Sequence, residues 1–421
     1  MTTLSLDAAR TALSSACSEV ADAGPDDAVA GVPAALVARP ASTEETAEVL
    51  RAAAAHGLTV VPRGRGTKLS WGRPPERADL VLDMSRMAAV LDHAAGDLIV
   101  DTEAGALLSD VQATVGSAGQ RLSLDDAVTG SSIGGALATN TSGPGRLVVG
   151  TARDLLLGVT IVRADGVIAK AGGRVVKNVA GYDLGKLVIG SFGTLAVITR
   201  AVFRLHPVPP ETAFVTVPFD TAEDAARLVH AVVHAQVVPA AVEVEWRPDG
   251  AGTVGVQLGG TAAGVAARTA TTQQLLGAGA TAAVAAPPGW GVLPWREAGL
   301  GGTGLKLTCA LSGLAPVLEA ARQAAADAGL SLTLRGSGGA GVLYAGLPAG
   351  AAPEEVASVV ARTRAVCTAH GGALVVLESP PAVQAAVDVW GPVPAIDLMR
   401  RVKEQFDPER RLAPGRFVGG I

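Results

Sequence analysis

Cysteine is scarce in this 421-residue chain: Cys17, Cys309 and Cys367 stand far apart and no two form a C-x-x-C pair. Neither a disulfide framework nor a thiolate-held zinc or iron–sulfur site fits that pattern. Any redox group must be held in another way. Aromatic residues make up only 3%, which leaves few faces for stacking bases, and a formal net charge of −5 opposes attraction to polyanions. No nucleic-acid partner is expected. Hydrophobic residues reach 49%, yet they are largely Ala and Val and never run unbroken for the roughly 18 residues that a membrane span requires. The N-terminal residues lack a basic stretch followed by an apolar core, so a cytoplasmic chain with no secretory signal and no membrane span is expected.

What is present is a regular alternation of helix and strand signals. Residues 1–34 read as a peripheral helix ended by "AGPDD". In residues 35–64, Ser42 followed by Glu45 forms a capping-box pattern ahead of an Ala-rich helix, Gly57 stops it, and an apolar strand leads into "PRGRGTK". Strands follow at 79–85 and 97–105, and a helix fits 106–119. A Gly/Ser/Thr-rich segment at 129–146 has room for one short helix, and 154–173 is a hairpin turning at Asp165 and Gly166. "KNVAGYDLGKLVIGSFG" reads as a short helix and loop, with Tyr182 and Asp183 in structural roles. Pro207, Pro209 and Pro210 mark a boundary. Beyond it the order β-α-β-β-α-β occurs twice, over 213–285 and 305–378, which predicts two ferredoxin-like halves in a domain spanning 211–380. Residues 381–421 add a last helix and "DPERRLAPGRF".

Two glycine loops carry the chemistry. A strand that ends in Gly-x-Gly can turn several backbone N–H groups toward one point, because glycine accepts positive φ and has no side chain to block approach. Arg63, Arg65 and Lys68 would add charge there, and Thr67 a hydroxyl. The second loop, "SSIGGALATN", opens a helix whose first N–H groups and dipole favour an anion. Together the two cradles suit a diphosphate. No G-x-x-x-x-G-K-[ST] occurs, and no G-x-G-x-x-G stands between a strand and a helix with an acid downstream, so neither a P-loop nor a Rossmann site holds it.

The segments "VPRGRGTKLSWG" (61–72), "SSIGGALATNTSGPGR" (131–146), "VVKNVAGYDLGKLVIGSFGTLAVIT" (175–199) and "FDPERRLAPGRF" (406–417) resemble the FAD-binding fold of the vanillyl-alcohol oxidase and p-cresol methylhydroxylase type, and most closely the FAD-binding subunits of glycolate oxidases. The resemblance implies an α+β chain with an FAD-binding domain at 35–210, a cap or substrate domain at 211–380 and a C-terminal segment, 381–421, that returns to the FAD domain. It implies that Arg63, Gly64, Arg65, Gly66, Thr67 and Lys68 wrap the FAD pyrophosphate. Thr129, Ser132, Gly134, Gly135, Asn140 and Gly143 would line its pyrophosphate and ribityl side, and Gly193 and Ile198 would touch it through the backbone. Relatives that attach flavin covalently often carry His where Thr67 stands here, so non-covalent FAD is expected.

The same resemblance implies hydride transfer from the α-carbon of a small 2-hydroxy acid such as glycolate to flavin N5, within a complex that includes a sister flavoprotein and an iron–sulfur subunit. A non-catalytic or electron-relay role beside that sister subunit is the alternative, and an apo scaffold a third. Single-chain relatives carry a His-rich metal or base motif in the C-terminal half; here His370 is the only histidine after His234, and the catalytic base is not assigned. Arg296, Lys306 and Arg335 are candidates for a carboxylate clamp because they fall on or beside second-domain strands. His230 and His234, one helical turn apart with no third ligand, read as a helix face rather than a metal site.

Overall fold

A computed structural model describes residues 3–175, 183–297 and 302–421. The chain divides into two compact units, one made of Met1–Thr141, Thr151–Val208 and Val393–Ile421, the other of Ser142–Gly150 and Pro209–Pro392. The "KNVAGY" part of the signature run, with Tyr182, lies outside the described residues.

Among the described residues the first unit holds two larger sheets and a two-stranded one that pairs His206–Pro207 with Gln120–Arg121. In one of the larger sheets, strands Ala34–Ala38 and Val60–Arg63 flank Ala78–Asp83 in parallel, and Val20–Asp22 adds an antiparallel edge. Helix Thr43–Ala55 packs on it because its apolar positions, Ala47, Val49, Leu50 and Ala53, fall on one stripe and are buried against Leu36, Leu80 and Leu82. Its N-terminus is closed as the sequence predicts: Ser42 Oγ accepts from Glu45 N at 3.0 Å, while Glu45 returns to Ala41 N at 2.7 Å. The N-terminal helix Thr3–Ala16 is peripheral on one face only, since Ala9 and Leu13 are fully buried in the same core. The second sheet is antiparallel, with strands in the order Val90–Ala94, Ile99–Glu103, Val197–Arg204, Leu156–Val162 and Ile168–Gly172. Its last two strands are the expected hairpin, turned at Gly166 with φ of +76°.

The second unit contains one eight-stranded antiparallel sheet. Its first half is strand Glu211–Phe219, helix Ala222–Val233, strands Ala241–Trp246 and Gly252–Gly260, helix Ala262–Leu276 and edge strand Thr281–Ala283. The second half repeats this with Thr303–Thr308, Leu314–Asp327, Thr333–Ser337, Val342–Leu347, Pro353–Ala369 and Leu374–Glu378. The halves join where Ala241–Trp246 pairs with Thr333–Ser337. Cross-strand partners share a face, and the ladder Lys306–Tyr344–Arg335–Glu245 therefore puts four polar residues on one side of the sheet. Val242 and Val244, alternating with Glu243 and Glu245, face the other side.

Candidate functional site

In the first unit the strand Val60–Arg63 ends at the loop 64–72, and helix Ile133–Thr139 begins beside it. A cleft opens there, lined by Arg63 to Leu69, by Ser132, Gly134, Gly135 and Thr139, by Phe192, Gly193 and Ile198, and by Arg416. The two glycine segments are thus brought together around one hollow.

They contribute unequally. Among the described residues the backbone N–H groups of Gly64, Arg65 and Gly66 donate to no protein acceptor, and Gly66, with φ of +74°, holds the left-handed conformation that turns such groups inward. This loop is a donor nest. The second loop is not: Ile133 N donates to Ala106 O at 2.9 Å, Gly134 N to Ala104 O at 2.7 Å, and Gly135 N to Ser132 Oγ at 3.3 Å. The expected second cradle of free helix N–H groups is therefore corrected, since its first turn is already satisfied by the neighbouring strand end and by its own cap. Its glycines serve close packing. A Cβ on Gly134 would stand 3.0 Å from the Ala104 Cβ, and one on Gly64 would stand 2.0 Å from Ser132 Oγ.

The cations also sort themselves. Arg63 donates to Asp27 at 2.7 Å and to Asp83 at 2.9 Å, so the expectation that its charge faces the cleft is corrected: two carboxylates already neutralise it. Burial alone would raise the Asp83 carboxyl, but hydrogen bonds from Ser85 and Arg63, with the Arg63 charge, outweigh burial and hold it below the usual range. Asp27 is lowered by its bond from Gly24 N, with Arg63 assisting. Lys68 is buried and donates to Ser131 Oγ at 2.6 Å. Arg65 is exposed, with no ion pair among the described residues.

Arg416 was not singled out by the sequence pattern. It is only 3% exposed; its Nη2 donates to Leu69 O at 3.0 Å and Trp71 O at 2.9 Å. Among the described residues Arg416 meets no carboxylate, and its Nε is buried without a partner. The closing segment places it there by strand-like pairing: Val60 N donates to Arg411 O at 2.8 Å and Ala413 N to Val60 O at 2.9 Å. The neighbouring Phe417 stacks on Phe192 with ring centres 5.6 Å apart.

The FAD binding domain family matches residues 34–172, and the C-terminal domain family of FAD linked oxidases matches 390–417. Residues 34–172 carry the sequence pattern of an FAD-binding domain. The glycolate oxidase subunit GlcD of Bacillus subtilis is 33% identical over 50% of this chain and 45% of its own length. A D-lactate dehydrogenase of Archaeoglobus fulgidus is 35% identical over 49% of this chain and 46% of its own. The match thus spans about half the length of these relatives. A solved 4-ethylphenol oxidase from Gulosibacter chungangensis superposes with a TM-score of 0.77 at 15% identity, covering 99% of this chain and 97% of that one. The fold is that of a p-cresol methylhydroxylase-type FAD protein.

The remaining expected residues of the FAD domain fall around the cleft less closely. Thr129 is exposed in the turn before the second loop. Asn140 ends the short helix at φ of +49°, its buried Oδ1 without a partner among the described residues. Gly143 belongs to the other unit. Asp183 is exposed and pairs with Lys186 at 2.8 Å.

In the second unit two of the three clamp candidates are corrected. Arg296 pairs with Glu378 at 2.8 Å, and Arg335 pairs with both Glu245 and Glu297, so neither offers a free charge. The Lys306 ammonium makes no ion pair or hydrogen bond among the described residues. Burial, with the nearby Arg146 charge, pushes it down to about 8. Arg146 also reaches Tyr344, whose hydroxyl burial raises. His230 and His234 lie within reach of the carbonyl oxygens of Leu311, at 3.1 Å, and of His230 itself, at 2.9 Å. Among the described residues no group of three His, Cys, Asp or Glu is placed to hold a metal ion, and no helix is long and apolar enough to cross a membrane.

Proposed function

We propose that the chain is an FAD-dependent dehydrogenase of a 2-hydroxy acid of the glycolate or lactate class, acting as the FAD-binding subunit of a larger complex. The observation that carries this is the cleft of the first unit shared by both glycine loops, each of which lies within the residues that match the FAD binding domain family. The curated relatives, named as glycolate, D-lactate and D-2-hydroxyglutarate oxidising proteins, support the substrate class. The N–H groups of Gly64, Arg65 and Gly66 would hold the diphosphate, Thr67 and Lys68 the loop's approach to it, and Ser132, Gly134, Gly135, Gly193 and Ile198 the walls. Thr67 offers no group for covalent attachment, which supports FAD held non-covalently. Bound FAD supplies a hydride acceptor at flavin N5.

The residue we assign to the substrate carboxylate is Lys306. A protonated ammonium without a carboxylate partner, beside Arg146 and Tyr344, attracts an anion, and the partial desolvation strengthens that attraction. Because only the protonated form attracts the carboxylate, affinity for glycolate is expected to be full below about pH 8 and to fall as the pH rises through it. Replacing Lys306 by Met should weaken glycolate binding roughly 10- to 100-fold and remove that pH dependence; unchanged binding would discard the assignment.

A second reading, an electron-relay subunit beside a sister flavoprotein, is favoured by the neutralised Arg296 and Arg335. Adding glycolate or D-lactate without oxygen to the flavin-loaded chain separates the two. The first reading expects the flavin absorbance to bleach; an unchanged spectrum, with reduction restored by copurified partner chains, selects the second.

A further inference from the structure

We infer that Arg416, rather than the arginines of the glycine loop, is the cation that neutralises the diphosphate of the bound dinucleotide; this rests on the FAD reading of the cleft. A guanidinium this deeply buried is costly unless a counter-charge meets it. Among the described residues the fold supplies none: its guanidinium donates to the carbonyls of Leu69 and Trp71, and its Nε faces no acceptor. The other buried cation of the same C-terminal segment, Lys403, shows the usual solution, with Asp407 at 2.6 Å.

The competing cations fail on geometry. Arg63 is held by Asp27 and Asp83, Lys68 donates to Ser131 Oγ and already has its charge engaged by the nearby Asp126 carboxylate, and Arg65 is exposed, where solvent screens it. Arg416 lines the cleft, and its two carbonyl acceptors belong to the loop whose Gly64–Gly66 N–H groups are open. A nest of N–H groups and one desolvated guanidinium are complementary to two phosphate groups. Burial holds the Arg416 guanidinium down to about 10, a penalty that an anion beside it would offset. A mere strut between the C-terminal segment and the loop would require the two carbonyl contacts but neither the charge nor the open Nε.

The test compares wild type, R416K and R416Q after removal of flavin by bromide dialysis, titrated with FAD, with ADP as a diphosphate lacking the flavin, and with riboflavin as a flavin lacking phosphate. The expected result is that R416Q weakens FAD and ADP by the same factor, roughly 10- to 100-fold, leaves riboflavin within twofold, and is largely rescued by R416K. FAD and ADP affinities within twofold of wild type would make Arg416 a strut and overturn the inference. Loss of FAD affinity with ADP unchanged would put the cation at the flavin ring and overturn it equally. Should R416Q fail to fold, the Nε–H resonance of Arg416 in the wild type decides: a shift on adding inorganic pyrophosphate supports the inference, and a resonance that stays in place overturns it. A wild type that takes up no FAD overturns the cofactor reading itself.

Discussion

At the scale of single residues, the glycines of the first loop have two different causes. Gly66 is required by its own backbone, and Gly66→Ala should cost roughly 1–3 kcal/mol through left-handed strain. Gly64 is required by Ser132, whose Oγ would lie 2.0 Å from an added Cβ. Gly64→Ala should therefore destabilise by about 1–3 kcal/mol, and Ser132→Ala by about 1 kcal/mol through the lost cap. Urea melts of the double variant should show a cost well below the sum, because removing the hydroxyl relieves the clash; simple additivity would contradict the contact. The Arg63 pairs give a pH signature. Asp27 and Asp83 have folded values below their unfolded ones, so their contribution is present above the ordinary carboxylate range of about 4 and is lost as the pH falls below it. Asp83→Asn should flatten the acid limb of the stability curve; an unchanged limb would show that these carboxylates do not drive it. This is also where sequence reading stopped. A glycine shows that a side chain is missing, but not whether a phosphate or a serine sixty-eight positions later occupies the space.

At the scale of elements, "FDPERRLAPGRF" is explained by a buried ion pair. Asp407 is fully buried, receives Lys403 Nζ at 2.6 Å, Arg411 N at 3.0 Å and Leu412 N at 2.7 Å, and so fixes the turn between helix Ile396–Phe406 and the segment beside Val60. Lys403 also donates to Thr194 O at 2.7 Å and Leu412 O at 3.1 Å, which leaves each of its protons a partner. Asp407→Ala should cost about 3–5 kcal/mol by stranding Lys403, and denaturant titration of the flavin-free protein would measure it; a loss under 1 kcal/mol would show that the pair is dispensable. The regular helices and strands of the second unit were legible because alternation, 3.6-residue stripes and Thr caps at Thr221 and Thr261 agree. The departure of Ser142–Gly150 from the first unit was not, since a Gly/Ser/Pro run carries no periodicity to say which core it joins. The ion pairs of Arg296 and Arg335 were equally hidden, because Glu378 and Glu245 lie roughly eighty and ninety positions away; sheet register brings Glu245 to Arg335, and a short helical turn, Pro294–Arg296, brings Arg296 to Glu378.

At the scale of the whole molecule, the solved 4-ethylphenol oxidase superposes on 99% of this chain, and the chain matches about half the length of its glycolate- and lactate-named relatives. Within the first unit two sequence-distant loops and the C-terminal Arg416 line one cleft, and we propose that it holds FAD by its diphosphate. The direct measurement is the FAD bound per chain after saturation and gel filtration, read in the supernatant after acid precipitation. One FAD per chain, all of it released, is expected; a chain that leaves the column without flavin would contradict the proposal.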